Sequence, residues 1–143
     1  MYTWKEFTKR YGKNTTSNIQ LTKWARELGI PFFSCIMRDE LSKLPRNKEH
    51  NIIINLETSK ERGSDWNALF YRPREGLAYY FSSYALPPLE EVKAFTKGCK
   101  EKYYNTHSLQ DLGEKYCGQL ALYILYQLSH GIPFEEAILN CKI

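Results

Sequence analysis

The chain has no apolar run of membrane length: its longest, residues 120–126, falls far short of the roughly 20 residues that cross a bilayer. Its first residues carry Lys5, Glu6, Lys9 and Arg10 where a secretory leader needs an apolar core, so neither leader nor membrane anchor is expected. Histidine is scarce, and the four cysteines, Cys35, Cys99, Cys117 and Cys141, form no CxxC pair. Without a partnering histidine cluster they do not have zinc-site spacing, and no metal or other cofactor is expected. Wide cysteine spacing in a chain that is 43% apolar argues for free thiols in a reducing, intracellular setting rather than a disulfide framework. No internal repeat, low-complexity tract or linker breaks the sequence. The net charge is only +4, with Lys and Arg scattered among Asp and Glu, so charge alone selects no partner.

What the chain does have is enough apolar and aromatic side chain to build a core. At 143 residues it fits one domain, spanning 1–143. Trp4, Phe7 and Tyr11 lie at helical spacing within residues 2–11, a segment ended by Gly12. A second helix is expected over residues 18–27, capped by Asn18 and stopped by Gly29. Residues 32–37 and 52–56 read as strands around a charged loop, and residues 66–71 and 77–81 as a hairpin joined through residues 72–76. Pro88 is placed to open a helix over residues 89–97, and residues 103–109 suggest one more strand. Residues 118–129 are apolar nearly all round, which predicts a helix buried at the centre. A last short helix covers residues 134–140.

Chemistry concentrates at Cys117, immediately ahead of that central helix. Unpaired amides and the helix dipole favour an anion there and stabilise a thiolate. Gly118 lets the backbone approach a substrate closely, and the amides of Gly118 and Gln119 can face a developing oxyanion. A small buried cysteine that does no chemistry is the competing reading of this position taken alone.

Several ordered blocks decide between them. Gly63-Ser64-Asp65-Trp66-Asn67-Ala68-Leu69, the run from Tyr79 through Pro88, Leu109-Gln110-Asp111 and Tyr116-Cys117-Gly118-Gln119 resemble the successive active-site blocks of adenovirus-type cysteine proteases. Among these the chain is most similar to the proteases of Polinton/Maverick elements and related DNA viruses, over residues 21–140. The resemblance implies an α+β, adenain- and papain-like fold, a mostly antiparallel sheet packed on a central helix headed by Cys117. It also implies site positions: Cys117 as nucleophile, Gln110 as oxyanion donor, Asp65 where the family has its histidine base and Ser82 where it has the aspartate that orients the base. Trp66 and Gly118 are expected to shape the binding groove.

Two of three triad positions therefore depart from the family. A carboxylate at Asp65 raises the thiol pKa where an imidazolium would lower it, and it has no proton for a leaving amine at neutral pH. Ser82 offers a hydrogen bond but no charge. Loss of one triad member can cost on the order of 10⁴-fold in rate or more. The expectation is an impaired protease homologue that binds or scaffolds a polypeptide, in the host cell or virion of a virus or virus-derived element. One alternative is an active endopeptidase that processes viral structural proteins with His107 as a substitute base. The other is a structural or nucleic-acid-binding protein on the same fold, with DNA suggested only by Lys93, Lys97, Lys100 and Lys102.

Overall fold

The computed structural model describes residues 1–58, 65–110 and 114–142. Two helices come first, α1 (Trp4–Tyr11) and α2 (Asn18–Glu27), each opened by a reciprocal capping box: Thr3 with Glu6, and Ser17 with Gln20. The second cap is therefore Ser17, one residue before the Asn18 expected from sequence. Its hydroxyl reaches the Gln20 amide while the Gln20 side chain returns to the Ser17 N–H, which satisfies two helix-end donors at once.

Strands β1 (Phe33–Met37), β2 (His50–Asn55), β3 (Trp66–Arg72), β4 (Leu77–Phe81) and β5 (Glu101–Tyr104) form one sheet in sequence order. The two inner pairs, β2–β3 and β3–β4, are antiparallel, whereas β1–β2 and β4–β5 are parallel. The sheet is thus mixed, not mostly antiparallel. A parallel pair needs a crossover, and both connections supply one. A 3-10 helix, Arg38–Lys43, lies in the segment expected to be plain loop between β1 and β2, and α3 (Glu90–Phe95) lies between β4 and β5. The last strand also differs from expectation, since it occupies Glu101–Tyr104 and residues 105–109 run on without strand pairing.

Alternation along the strands splits the core in two. Ile53, Ala68 and Phe81, paired across three strands, face the cluster built on α4 (Cys117–Ser129) with α1, α2 and α5 (Phe134–Leu139). Ile52, Ile54, Leu69, Tyr71 and Tyr80 face the opposite cluster with Val92 and Phe95 of α3 and Leu41 of the 3-10 helix. Every residue of α4 from Cys117 to Leu128 is buried, as its all-round apolar composition requires. Each fully covered Leu or Ile there contributes about 1.5–3 kcal/mol of transfer free energy. On the far side, Arg38 pins α3 with two bonds to Glu91, at 2.9 and 2.7 Å. Among the described residues no helix is long and apolar enough to cross a membrane.

The pairing fixes where side chains can meet. The C-terminal ends of β1, β2, β4 and β5 and the start of β3 share one end of the sheet, and α4 begins against β3 there.

Candidate functional site

Trp66 opens β3 on the α4 side, and its ring lies directly under Gly118. A Cβ on Gly118 would stand 3.2 Å from Trp66 Cδ1, 3.4 Å from Leu21 Cδ2 and only 2.5 Å from Thr16 Cγ2. The indole N–H donates to the Thr16 carbonyl at 3.3 Å, and Gln119 Nε2 donates to the Asn14 carbonyl at 2.8 Å. The α1–α2 connection is thereby fastened over the first turn of α4. Trp66 is 4% exposed, so its side chain belongs to the core beneath the site and reaches little solvent of its own.

Cys117 heads α4 with 5% exposure. Burial pushes its thiol pKa up, and the charge of Asp65 adds in the same direction; backbone N–H groups of Trp66, Gly118 and Cys117 itself pull the other way. The helix-end amides expected to favour an anion are present, yet the net displacement is toward the neutral thiol. Asp65 is exposed, beside Trp66, and its carbonyl accepts the Leu56 amide at 3.0 Å. The phenol of Tyr84 lies within electrostatic reach of Cys117, Asp65 and Glu114, and its hydroxyl donates to the Glu114 carbonyl at 3.1 Å.

Ser82 is 1% exposed and tied up by backbone. Its hydroxyl accepts the Leu86 amide at 3.3 Å, closing a turn that carries Ala85 at φ 57°, a left-handed conformation that L-residues avoid. The buried Asn105 clasps Ser82 from the other side: Oδ1 accepts the Ser82 N–H at 2.9 Å, and Nδ2 donates to the Ser82 carbonyl at 2.7 Å. Nothing in the sequence patterns singled out Asn105, because its partner is brought close only by the parallel β4–β5 pairing. Gln110 is also buried; its Nε2 donates to the Glu114 carbonyl, while its Oε1 has no hydrogen-bond partner among the described residues. Gly63, Ser64 and Asp111, parts of the motif blocks, lie outside the described residues.

Each of the three histidines makes its side-chain contact with a group other than Cys117. His50 starts β2 at the opposite end of the sheet, with Nε2 2.7 Å from the Pro45 carbonyl. His130 caps the far end of α4, about 20 Å along the helix axis. Its Nδ1 lies 2.8 Å from the Tyr126 carbonyl. His107 is exposed beyond β5, with Nδ1 3.2 Å from Thr106 Oγ1, and it lines a groove of about 740 Å³ between β5 and α5 with Tyr103, Phe134 and Ile138. Among the described residues no group of three His, Cys, Asp or Glu side chains could hold a metal ion.

The α+β architecture, a mixed five-stranded sheet with helices, matches that of solved proteases. The fold is that of a viral cysteine protease. The chain is similar to the crystal structure of the ASFV pS273R protease, at 14% identity and a TM-score of 0.66, over 88% of this chain and 61% of that one. A selenomethionine crystal structure of the ASFV pS273R protease matches at 13% identity and a TM-score of 0.62, over 88% and 62%. This chain thus spans less than two thirds of the length of the protease structures it matches, and at such identity the likeness shows the fold alone. No protein-family model matches the sequence, and no curated protein matches it.

Proposed function

We propose that this chain is a homologue of viral cysteine proteases that no longer hydrolyses peptide bonds and keeps the surface around Cys117 as a docking place for a polypeptide. The observation that carries the reading is the electrical setting of the sulfur. Among the described residues the Asp65 carboxylate is a charged neighbour, and it acts with burial to keep the thiol protonated. A protonated thiol is a poor nucleophile, and a carboxylate at neutral pH has no proton to give to a leaving amine.

The other family positions support the same reading. Ser82 spends its hydroxyl on the Leu86 amide and holds a turn in shape. One N–H of Gln110 Nε2, the group an oxyanion would need, is taken by the Glu114 carbonyl, which holds the amide in place. With hydrolysis gone, the retained fold and the close packing around Gly118 are accounted for by binding, in the host cell or virion of a virus or virus-derived element.

Alkylation by iodoacetamide, followed at Cys117 by peptide mass spectrometry, tests this. The expected result is slow modification at pH 6 that accelerates as pH rises, unchanged by His107→Ala and hastened by Asp65→Asn. Rapid modification at pH 6 that disappears in His107→Ala would overturn the proposal and restore a working Cys-His pair.

A further inference from the structure

Charged residues are scattered along the whole chain, but the net charge is not. Residues 1–30 hold six basic and two acidic side chains, whereas the rest of the chain holds fourteen of each. The whole excess of +4 sits on α1, α2 and the connection between them. Lys5, Lys9, Arg10, Lys13, Lys23 and Arg26 are all exposed, and among the described residues none of them forms an ion pair.

Three of these cations make a line. Lys5 and Lys9 share one face of α1 at a four-residue interval. Past the Gly12 stop, Lys13 places its ammonium 5.4 Å from the centre of the Tyr116 ring. Tyr116 is the residue that caps α4, immediately before Cys117. The lysine track therefore runs along α1 to the threshold of the thiol.

We infer that the polypeptide docked at this site is an acidic, extended segment whose carboxylates meet Lys5, Lys9 and Lys13 as it approaches Cys117. The inference rests on the docking role proposed above and adds the class of partner. Lys5 and Lys9, one turn apart on α1, are about 6 Å apart along its axis, and Lys13 follows beyond the Gly12 stop. Alternate side chains of an extended peptide repeat at about 6.6 Å, so acidic residues at every second position match the track. Nucleic acid fits less well. Around the thiol the partner meets the carboxylates of Asp65, near Cys117, and Glu114, near Tyr84, which a continuous phosphate backbone would be repelled by and a peptide with neutral or basic residues there would not. The aromatic rings of α1, Trp4, Phe7 and Tyr11, are turned into the core and offer no face for base stacking.

The test uses the whole chain and a fluorescein-labelled octapeptide of alternating Glu and Ala, read by anisotropy at low salt. Octapeptides of alternating Lys and Ala and of alternating Ser and Ala, and single-stranded and duplex oligonucleotides, are run in parallel. The Glu peptide is expected to bind, to weaken steeply with added salt, and to lose about tenfold in affinity in the exposed-site double variant Lys9→Glu with Lys13→Glu. It should also slow alkylation of Cys117 at pH 9 in the parent chain and not in that variant. Absence of Glu-peptide binding, indifference to the charge reversals, or tighter binding of either oligonucleotide overturns the inference. Binding of the Ser or Lys peptide in place of the Glu peptide also overturns it while leaving peptide docking intact. Cleavage of any of the peptides that depends on Cys117 overturns the loss of hydrolysis instead.

Discussion

Gly118→Ala adds one carbon at the most crowded point of the site. That carbon would lie 2.5 Å from Thr16 Cγ2 and 3.2 Å from Trp66 Cδ1, against an ordinary carbon contact of about 3.5–4.0 Å. Helix propensity favours alanine by up to about 1 kcal/mol, and less here, since residue 118 lies in the first turn. Overpacking opposes it by about 1–3 kcal/mol. Moving Thr16 away also strains the indole bond to its carbonyl, and a buried N–H left without a partner costs about 1–3 kcal/mol. The unfavourable contributions win, and the variant should lose about 2 kcal/mol, lowering Tm by about 6–8 °C for a chain of this size. Urea and thermal unfolding followed by circular dichroism measure it. The companion substitution Thr16→Ser removes the methyl that collides first, so the double variant should recover part of the loss. A Tm equal to or above the parent's for Gly118→Ala, or a double variant no better than the sum of the singles, refutes the packing argument.

Two further perturbations probe features that sequence did not expose. Asn105→Ala removes both bonds that clasp the Ser82 backbone, and should cost about 2–3 kcal/mol in urea unfolding, since the Ser82 N–H has no solvent to turn to; a cost below about 0.5 kcal/mol would show that the clasp is dispensable. Burial pushes the Cys35 and Cys141 thiols from an ordinary 9.0 up to about 12, and the Tyr123 phenol from 10.0 up to about 12. The folded state therefore holds these protons more tightly than the unfolded state, and their stabilisation is complete below about pH 9 and lost as pH rises toward about 12. Stability should fall across that window with a shallower slope in Cys141→Ala, and a parent curve flat to pH 11.5 would contradict it.

The proposal that hydrolysis is lost depends on which charges surround one sulfur. Removing water from a thiol and placing a carboxylate beside it act in the same direction, and three backbone N–H groups oppose them. Asp65→Asn removes one of the two unfavourable contributions without adding a base, so the thiol should become more reactive while no peptidase activity appears.

Sequence alone determined the elements whose signal is local. Apolar spacing marked α1, α2 and α4, Gly12 ended the first of them, and the proline and glycine of residues 72–76 marked the β3–β4 hairpin. The ordered motif blocks pointed to the protease fold that the solved structures share. Strand direction was not legible at the sheet edges, because a short run such as Phe33–Met37 or Glu101–Tyr104 has the same period whichever way its neighbour runs. Parallel pairing there follows from the two crossovers, a property of the whole chain path. The same is true of the site's physics. Motif spacing named Cys117, Asp65, Ser82 and Gln110, but the clasp from Asn105 on the Ser82 backbone and the folded turns that bond Ser82 to Leu86 and Gln110 to Glu114 set what those side chains are free to do. Only packing brings Thr16, Trp66 and Gly118 into one contact, across about 50 residues in each step, and a contact of that range leaves no trace in local spacing. Position was written in the sequence; the thiol's proton affinity was decided by burial and neighbours that exist only once the chain has folded.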